Sequence, residues 1–580
     1  MESFTLKRMF ALAEKFTIPA YQRAYSWVDA QREQLIEDLR DAKEHYYMGH
    51  FLFEKNKDDQ DEYFIIDGQQ RMTTMVIFFS CLIKALSGRD DATLKITSLE
   101  RTYLINTSDN QRFHTVNYDD PLFRRRIVFR QEEKQDNDLE SETADSSSAR
   151  NIIDCRNYFD KVFKETYTEE LERWANVLAQ SRITYLEVDS KVDAAQIFAF
   201  QNDRGKDLTN LEVLKSFFML QIYLKGDKRQ ADLINSLEES YRKIYAIIVK
   251  LRTNEDYVLR YSWMAYNRGF NTEKPLQEIK DYYKNREIGE VTKFLEDLAE
   301  AYKYVHDVES SDKPIVVKLC HEKNLAWSLP VLIKAKVVAG VSSPIMNCLL
   351  HLLENFTFRA MVRGGRASVE SRLNKLIEGA KNENMFVENI RQFIDNMSND
   401  YWSDKQLRDA LNSGYIFNRH SACSHLLWRY EESLMGKGYE GYERNLFWIA
   451  DETIEHIAPQ TQRGVEIANG YGVYDDKDDA NSGIESGEWL SSIGNLMLAS
   501  RNHNSSLGNK DFADKLADYG KGNLLLQQKE MTAKYENVEV PLWDKVAIES
   551  RGKKIIEAAM KIWDLKKVKE MLPEAENALF

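Results

Sequence analysis

The chain has 580 residues and a mass of 67.7 kDa, room for two to four domains at the usual ~100–200 residues each. Hydrophobic residues make up 43% and charged residues 30%, with 9 prolines, which excludes a disordered or fibrous chain and predicts a soluble, helix-rich α+β protein. The formal net charge is −14, so any contact with nucleic acid must come from local basic patches rather than a uniformly basic coat.

The five cysteines, Cys81, Cys155, Cys320, Cys348 and Cys423, are far apart and form no CxxC pair. That argues against zinc fingers and a disulfide framework, and it fits a reducing cytoplasm. The opening MESFTLKRMF lacks the charged-then-apolar pattern of a secretion signal, and MVIFFSCLI from Met75 is shorter than the ~20 residues of a membrane span. A cytoplasmic protein with no membrane partner is expected.

In chain order, the first informative stretch is IPAYQRAYSW, residues 18–27, where a proline-stiffened extended segment presents Gln22 and Arg23. The second, YFIIDGQQRMTTMVIFF, residues 63–79, reads as a buried strand, a turn at Asp67-Gly68, and a helix. One apolar face of that helix carries Met72, Met75, Val76, Phe79, Leu82, Ile83 and Leu86. Gly68 lets the backbone approach a ligand, the helix start attracts phosphate, and Arg71 can add a planar two-pronged contact. An ordinary strand-to-helix turn, with Asp67 as a cap and Arg71 paired to a surface acid, accounts for the same residues. Residues 130–150 hold almost no apolar side chains and read as a solvated acidic loop. The third stretch, residues 197–215, places Asn202 and Arg204 in a polar turn before a helix that ends at Lys215.

From residue 226 to 435 the pattern is helical, with Leu233, Leu237, Tyr241 and Tyr245 at four-residue steps and two long apolar segments after them. The C-terminal region begins at about residue 436 and contains a second acidic loop, residues 474–489. One-metal DNA hydrolysis needs a base for water, a hard cation on the phosphate and a group that holds the base. His456 is the candidate base, with Glu455 beside it as a carboxylate ligand for Mg²⁺ or Mn²⁺. Asn495 is placed to fix the histidine and Asn504 to give the metal an amide oxygen, with Asn509 and His503 as rivals for that position. The same residues also suit a partly buried structural histidine with turn and cap asparagines. Residues 551–569 carry seven basic side chains, among them Arg551, Lys553 and Lys554, against two acids. They read as a DNA-facing helix or as a solvated lysine-rich face.

The blocks IPxYQRxYxW, DGQQRxTT and NxRGxxLxxxDxxK, with Glu212 where an Asp is usual, resemble the GmrSD-type family of modification-dependent restriction enzymes. The motif EHIAPQ, with Asn495 and an asparagine nine residues on, resembles its C-terminal HNH (ββα-metal) domain in the His-Asn-Asn form. The resemblance implies a ParB/sulfiredoxin-like, nucleotide-binding and DNA-sensing N-terminal domain over residues 1–225, a helical middle domain over 226–435 and an HNH nuclease domain over 436–580. It implies that Gln22, Arg23, Asp67, Gly68, Gln69, Gln70, Arg71, Asn202, Arg204 and Lys215 line a nucleotide site, whose NTP hydrolysis controls the nuclease. The expected partners are double-stranded DNA carrying a modification and an NTP, with self-association left open. A nucleotide-responsive nuclease or toxin without modification sensing is the alternative, and a non-catalytic DNA-binding regulator is a third reading. A fragment from residue 436 onward carries every proposed nuclease residue and is expected to work alone.

Overall fold

Short runs rich in β-branched and aromatic residues punctuate the N-terminal third, and they become strands β1 (Phe4–Thr5), β2 (Lys15–Thr17), β3 (Tyr47–Lys55), β4 (Glu62–Asp67), β5 (Phe113–His114) and β6 (Arg182–Val188). They form one mixed sheet in the order β1-β6-β3-β4-β2-β5. Strand β3 runs parallel to β6 and antiparallel to β4, with Phe53 opposite Ile65 and an irregularity in register between Leu52 and Phe53. The protein is a helix-rich α+β chain. Its computed structural model describes residues 4–42, 46–116, 118–131, 146–188, 209–226, 229–266, 272–313, 315–316, 319, 325–364, 368–412, 420–435, 452–460, 470–473, 489–521 and 525–573. The expected acidic loops therefore lie largely outside the described residues, as do Asn202 and Arg204.

Two compact units divide the chain, one formed by Met1–Trp263 and Thr272–Glu309, the other by Met264–Asn271 and Ser310–Phe580. In the first, helices α1 (Asp29–Asp41), α2 (Gln69–Ser87), α3 (Ser147–Glu165) and α4 (Thr168–Gln180) accompany the sheet, and α5 (Asn210–Lys225), α6 (Gln230–Ile248) and α7 (Ile288–Glu309) follow. The expected face of α2 is buried, from Met72 to Leu86. So are Ile77, Phe78 and Cys81 on its other sides, because Phe78 meets Phe159 and Phe163 of α3 at ring distances of 5.3 and 4.9 Å. From Met72 to Ile83 the helix is thus buried on every side, whereas Lys84 and Ser87 at its end are exposed. Gly68 starts it in the left-handed region at φ 92°, and a Cβ there would strike the Phe51 ring. Helix α5 opens on a capping box in which the Thr209 hydroxyl accepts from the Glu212 N–H while the Glu212 carboxylate accepts from the Thr209 N–H. That fixes the start of the helix, and Lys215 projects from within it rather than from its expected end, since the helix runs on to Lys225.

In the second unit, helix α8 (Ser343–Arg363) and helix α9 (His420–Leu434) precede the antiparallel hairpin of β7 (Glu452–His456) and β8 (Leu496–Ser500), in which His456 pairs with Leu496. Helix α10 (Arg501–Leu507) follows β8 at once, and α11 (Phe512–Tyr519), α12 (Leu526–Tyr535) and α13 (Lys545–Ile562) come after it, ahead of a last short helix, Leu565–Glu570. Helix α13 crosses the turn before β8 at Gly494, where any Cβ would collide with the Ile548 carbonyl. Phe358 of α8, Leu426 and Leu427 of α9, Ile454, Leu496, Ile555 and Trp563 belong to one hydrophobic core. The helical middle is thus divided: α6 and α7 lie in the first unit, whereas α8 and α9 share a core with the C-terminal hairpin. Among the described residues no helix is long and apolar enough to cross a membrane.

Candidate functional site

In the N-terminal unit two of the expected blocks meet Lys215. The Gln22 side chain donates from Nε2 to the Ile66 carbonyl at 3.0 Å and accepts from Lys215 Nζ on Oε1 at 3.3 Å. Lys215 Nζ also donates to the Tyr21 carbonyl at 3.0 Å and lies 4.5 Å from the centre of the Tyr21 ring. Burial pushes the Lys215 ammonium down to about 8, against the pull of Glu238 and Glu212. Gln70 clamps the loop after Arg23, accepting from the Ser26 N–H and donating to the Ala24 carbonyl, while Gln69 reaches the Arg23 carbonyl at 3.5 Å. Arg23 itself is set between Glu212 at 3.7 Å and Glu255 at 3.4 Å.

Asp67 is not the helix cap. Gly68 occupies that position, and Asp67 instead faces His50, with Nε2 to Oδ2 at 3.1 Å, and Arg71 at 3.8 Å. The Arg71 fork is used on β3, donating to the Met48 and His50 carbonyls at 3.2 and 2.7 Å, over the Phe51 ring. As placed it makes main-chain contacts rather than presenting two free prongs to a phosphate. Tyr21 stands inside the first block beside Gln22 but carried no signal of its own, whereas His50, Glu238 and Glu255 lie outside the blocks and are brought to them only by the fold, His50 at Asp67, Glu255 at Arg23 and Glu238 near Lys215.

In the C-terminal unit His456 ends β7. Burial, and then the nearby Lys515 ammonium, push its imidazole down to about 4, so it is neutral at pH 7. Asn495 is fully buried and takes four hydrogen bonds. Its Oδ1 accepts from the Ala458 N–H at 2.8 Å and from Trp543 Nε1 at 2.9 Å, and its Nδ2 donates to the Ala458 and Leu490 carbonyls at 3.0 Å each. It therefore holds the chain two residues beyond His456 rather than the imidazole, which corrects the expected contact. Asn504 on α10 donates to Thr453 Oγ1 at 2.9 Å and to the Ile454 carbonyl at 3.2 Å, tying the helix to β7. His503 Nδ1 lies 3.3 Å from Gln528 Nε2, and Asn509 is exposed in the turn after α10.

Glu455 departs furthest from its expected role. Its Oε1 accepts from Lys515 Nζ at 2.6 Å and from the Tyr519 hydroxyl at 3.3 Å, inside the core. Lys515, fully buried, also donates to the His456 and Ile457 carbonyls. One carboxylate oxygen already faces an ammonium, and that neighbouring positive charge opposes a divalent cation at the same carboxylate, so as arranged Glu455 is a poor metal ligand. Among the described residues no group of three or more His, Cys, Asp or Glu side chains comes together to hold a metal.

The basic helix α13 is likewise corrected at one position. Arg551 is buried and donates to the Gly494 and Leu496 carbonyls at 2.9 and 2.7 Å and to Gln527 Oε1 at 3.2 Å, so it braces the hairpin and is no DNA contact. Lys553 pairs with Glu549 on the same helix at 2.9 Å and is largely exposed, whereas Lys554 pairs with Glu530.

Residues 6–219 match the family described as GmrSD restriction endonuclease, N-terminal domain, a stretch that includes strands β2 to β6 of the sheet and Lys215. Residues 399–558 match GmrSD restriction endonucleases, C-terminal domain, and include His456, Asn495 and Asn504. Together these define a restriction endonuclease, whose substrate is DNA. The chain belongs to the GmrSD restriction endonuclease family. Comparison with curated proteins gives no match.

Proposed function

We propose that this chain is a modification-dependent DNA endonuclease of phage defence, acting in the cytoplasm, in which an HNH-type C-terminal site cuts and a ParB/sulfiredoxin-like N-terminal domain gates cutting by binding and hydrolysing an NTP. The observation that carries the nuclease half is the arrangement at His456. A neutral imidazole ends a two-stranded hairpin, Asn495 fixes the loop that follows it, and Asn504 ties the next helix back to the same strand. A neutral imidazole has the free lone pair that proton abstraction from the attacking water needs, and at a pKa of about 4 it is a weaker base than a solvated histidine. Mg²⁺ or Mn²⁺ belongs to the proposal as the cofactor implied by the resemblance. The Glu455–Lys515 pairing supplies it no ligand, and no step is assigned to it.

The nucleotide half rests on Gln69 and Gln70 holding the loop that carries Gln22 and Arg23, with Lys215 bonded to Gln22. A buried ammonium of lowered pKa and a helix N-terminus at Gly68 suit an anionic ligand. Gating then works by shifting a population, since the proposed nucleotide residues and the proposed cutting residues belong to different units of the chain.

The test is cleavage of matched modified and unmodified duplexes in Mg²⁺, with and without NTP, by the parent, His456→Ala and Lys215→Met proteins. The proposal expects no cutting by His456→Ala, and cutting by Lys215→Met that no longer responds to NTP. Equal cutting of both duplexes by the parent would leave a plain nuclease, and near-parent cutting by His456→Ala would remove the nuclease assignment.

A further inference from the structure

A cleft of about 570 Å³, lined by none of the residues assigned above, opens in the N-terminal unit between the short helix Leu6–Phe10 and the helix Ile96–Tyr103. Four cations line it, Lys7, Arg8, Arg101 and Arg112, against one carboxylate, Glu14. In a chain of net charge −14 such a local excess stands out. Arg101 is partly met by Asp109 at 2.7 Å, outside the lining, and Arg8 lies over the Phe4 ring at 5.3 Å, while the lining itself holds four cations against one carboxylate.

The floor is built rather than incidental. Arg112 is 7% exposed, and its guanidinium donates to the carbonyls of Phe10 at 2.8 Å, Ala13 at 2.6 Å and Arg101 at 3.1 Å, joining the two helices that form the walls. Its Nε is a buried donor with no bonded partner among the described residues. The one carboxylate is turned to Thr107, whose N–H and hydroxyl it accepts at 2.9 and 3.1 Å. Lys7 and Arg8 stand exposed at the rim.

We infer that this cleft binds backbone phosphates of the DNA on which the enzyme acts, as a sequence-independent contact made by the N-terminal unit. The chemistry is that of a phosphate, and two features favour a polymer over a nucleotide. The cleft is open and polar, and its apolar lining is limited to Phe10, which is buried, and Ala11. A small-molecule site encloses most of its ligand and a base wants an aromatic platform; a backbone contact needs neither.

The experiment uses the full chain and a fluorescein-labelled duplex of about 25 base pairs, the length of a typical bent or straight contact site, followed by anisotropy over a range of salt. The variant is Lys7→Gln with Arg8→Gln. A charge-matched control, Lys161→Gln with Lys164→Gln, lies on α3, which contributes no residue to the cleft. Thermal melts check that both fold. Loss of two phosphate contacts should weaken binding at least about fivefold for any duplex sequence, and reduce the slope of log K against log salt by about 2. The control should bind as the parent does. Unchanged affinity and slope in the cleft variant would overturn the inference. So would a cleft variant that binds duplex normally but has lost affinity for ATP or GTP in a parallel titration, since the cleft would then serve a nucleotide.

Discussion

Lys515 Nζ lies 2.6 Å from Glu455 Oε1, with neither side chain reaching solvent. Two carbonyls of the chain that follows Glu455, those of His456 and Ile457, complete the ammonium's bonds. Burial alone pushes the Glu455 carboxyl up and the Lys515 ammonium down, and each partner opposes the other's shift. A pair of this kind is held together by the penalty of breaking it, so removing one partner leaves a buried charge.

Lys515→Met and Glu455→Gln should therefore each destabilise the protein, the first by about 3–5 kcal/mol, while Glu455→Leu with Lys515→Met should recover much of the loss. Urea unfolding of the four proteins measures this directly. A Glu455→Gln protein as stable as the parent, but needing several times more Mg²⁺ for half-maximal cutting, would mean that Glu455 is a metal ligand after all.

Arg551 yields a prediction that separates bracing from DNA contact. Truncating it to Ala leaves the Gly494 and Leu496 carbonyls without their donor in the core. The expected loss is about 2–4 kcal/mol of stability, with a lowered melting temperature. The salt dependence of DNA binding should not change. Lys553→Gln, on an exposed side chain, should do the opposite: parent stability, and a salt slope shallower by up to about 1.

For Lys215 the consequence lies at high pH. Its folded pKa of about 8 is below the ordinary lysine value of 10.5, so between those limits the unfolded chain binds more protons. Stability contributed by this group is present above the unfolded value and lost as pH falls through about 8. Relative to Lys215→Met, the parent should gain on the order of 2–3 kcal/mol between pH 8 and 10.5. Comparing the two proteins cancels the tyrosines and other lysines that titrate in the same range. Parallel stability curves across that window would show that Lys215 is not a buried ammonium.

What the sequence made legible was local. The β4–Gly68–α2 passage follows from a β-branched run, a turn glycine and a helix of apolar residues, all within one short stretch. The spacing of Asn495 and Asn504 about the start of β8 was readable for the same reason. Partners distant in sequence were not. Lys515 sits 60 residues beyond Glu455 on an amphipathic helix where a lysine ordinarily faces water, and nothing local says that this one turns inward. Arg551 stood among six other basic side chains, and only the close crossing of α13 over Gly494 takes it out of solvent. Asn495 was found by its spacing but given the wrong neighbour, because an asparagine that fixes a loop and one that fixes a ring look alike in one dimension.

The same long-range packing reverses the expectation for an isolated C-terminal fragment. Trp563, at the end of α13, stacks on Phe358 of α8 at 3.6 Å, and Arg359 donates to the Trp563 carbonyl at 2.6 Å. Glu431 of α9 accepts from the N–H groups that begin α12, and Gln527 Nε2 donates to the Leu427 carbonyl. A fragment of residues 436–580 keeps His456, Asn495 and Asn504 but loses every one of these partners, exposing Ile555, Leu526 and Trp563 together. Burial of side chains that size is worth about 1.5–3 kcal/mol each, comparable in sum with the whole stability of a domain. The fragment should therefore melt without cooperativity, bind a hydrophobic dye and cut no DNA. Residues 310–580, which retain α8 and α9, should unfold in a single transition and nick DNA weakly with no response to NTP. Calorimetry and a plasmid-nicking assay on both fragments decide the matter, and a cooperative, active 436–580 fragment would show that the hairpin and its helices need nothing from the helical middle.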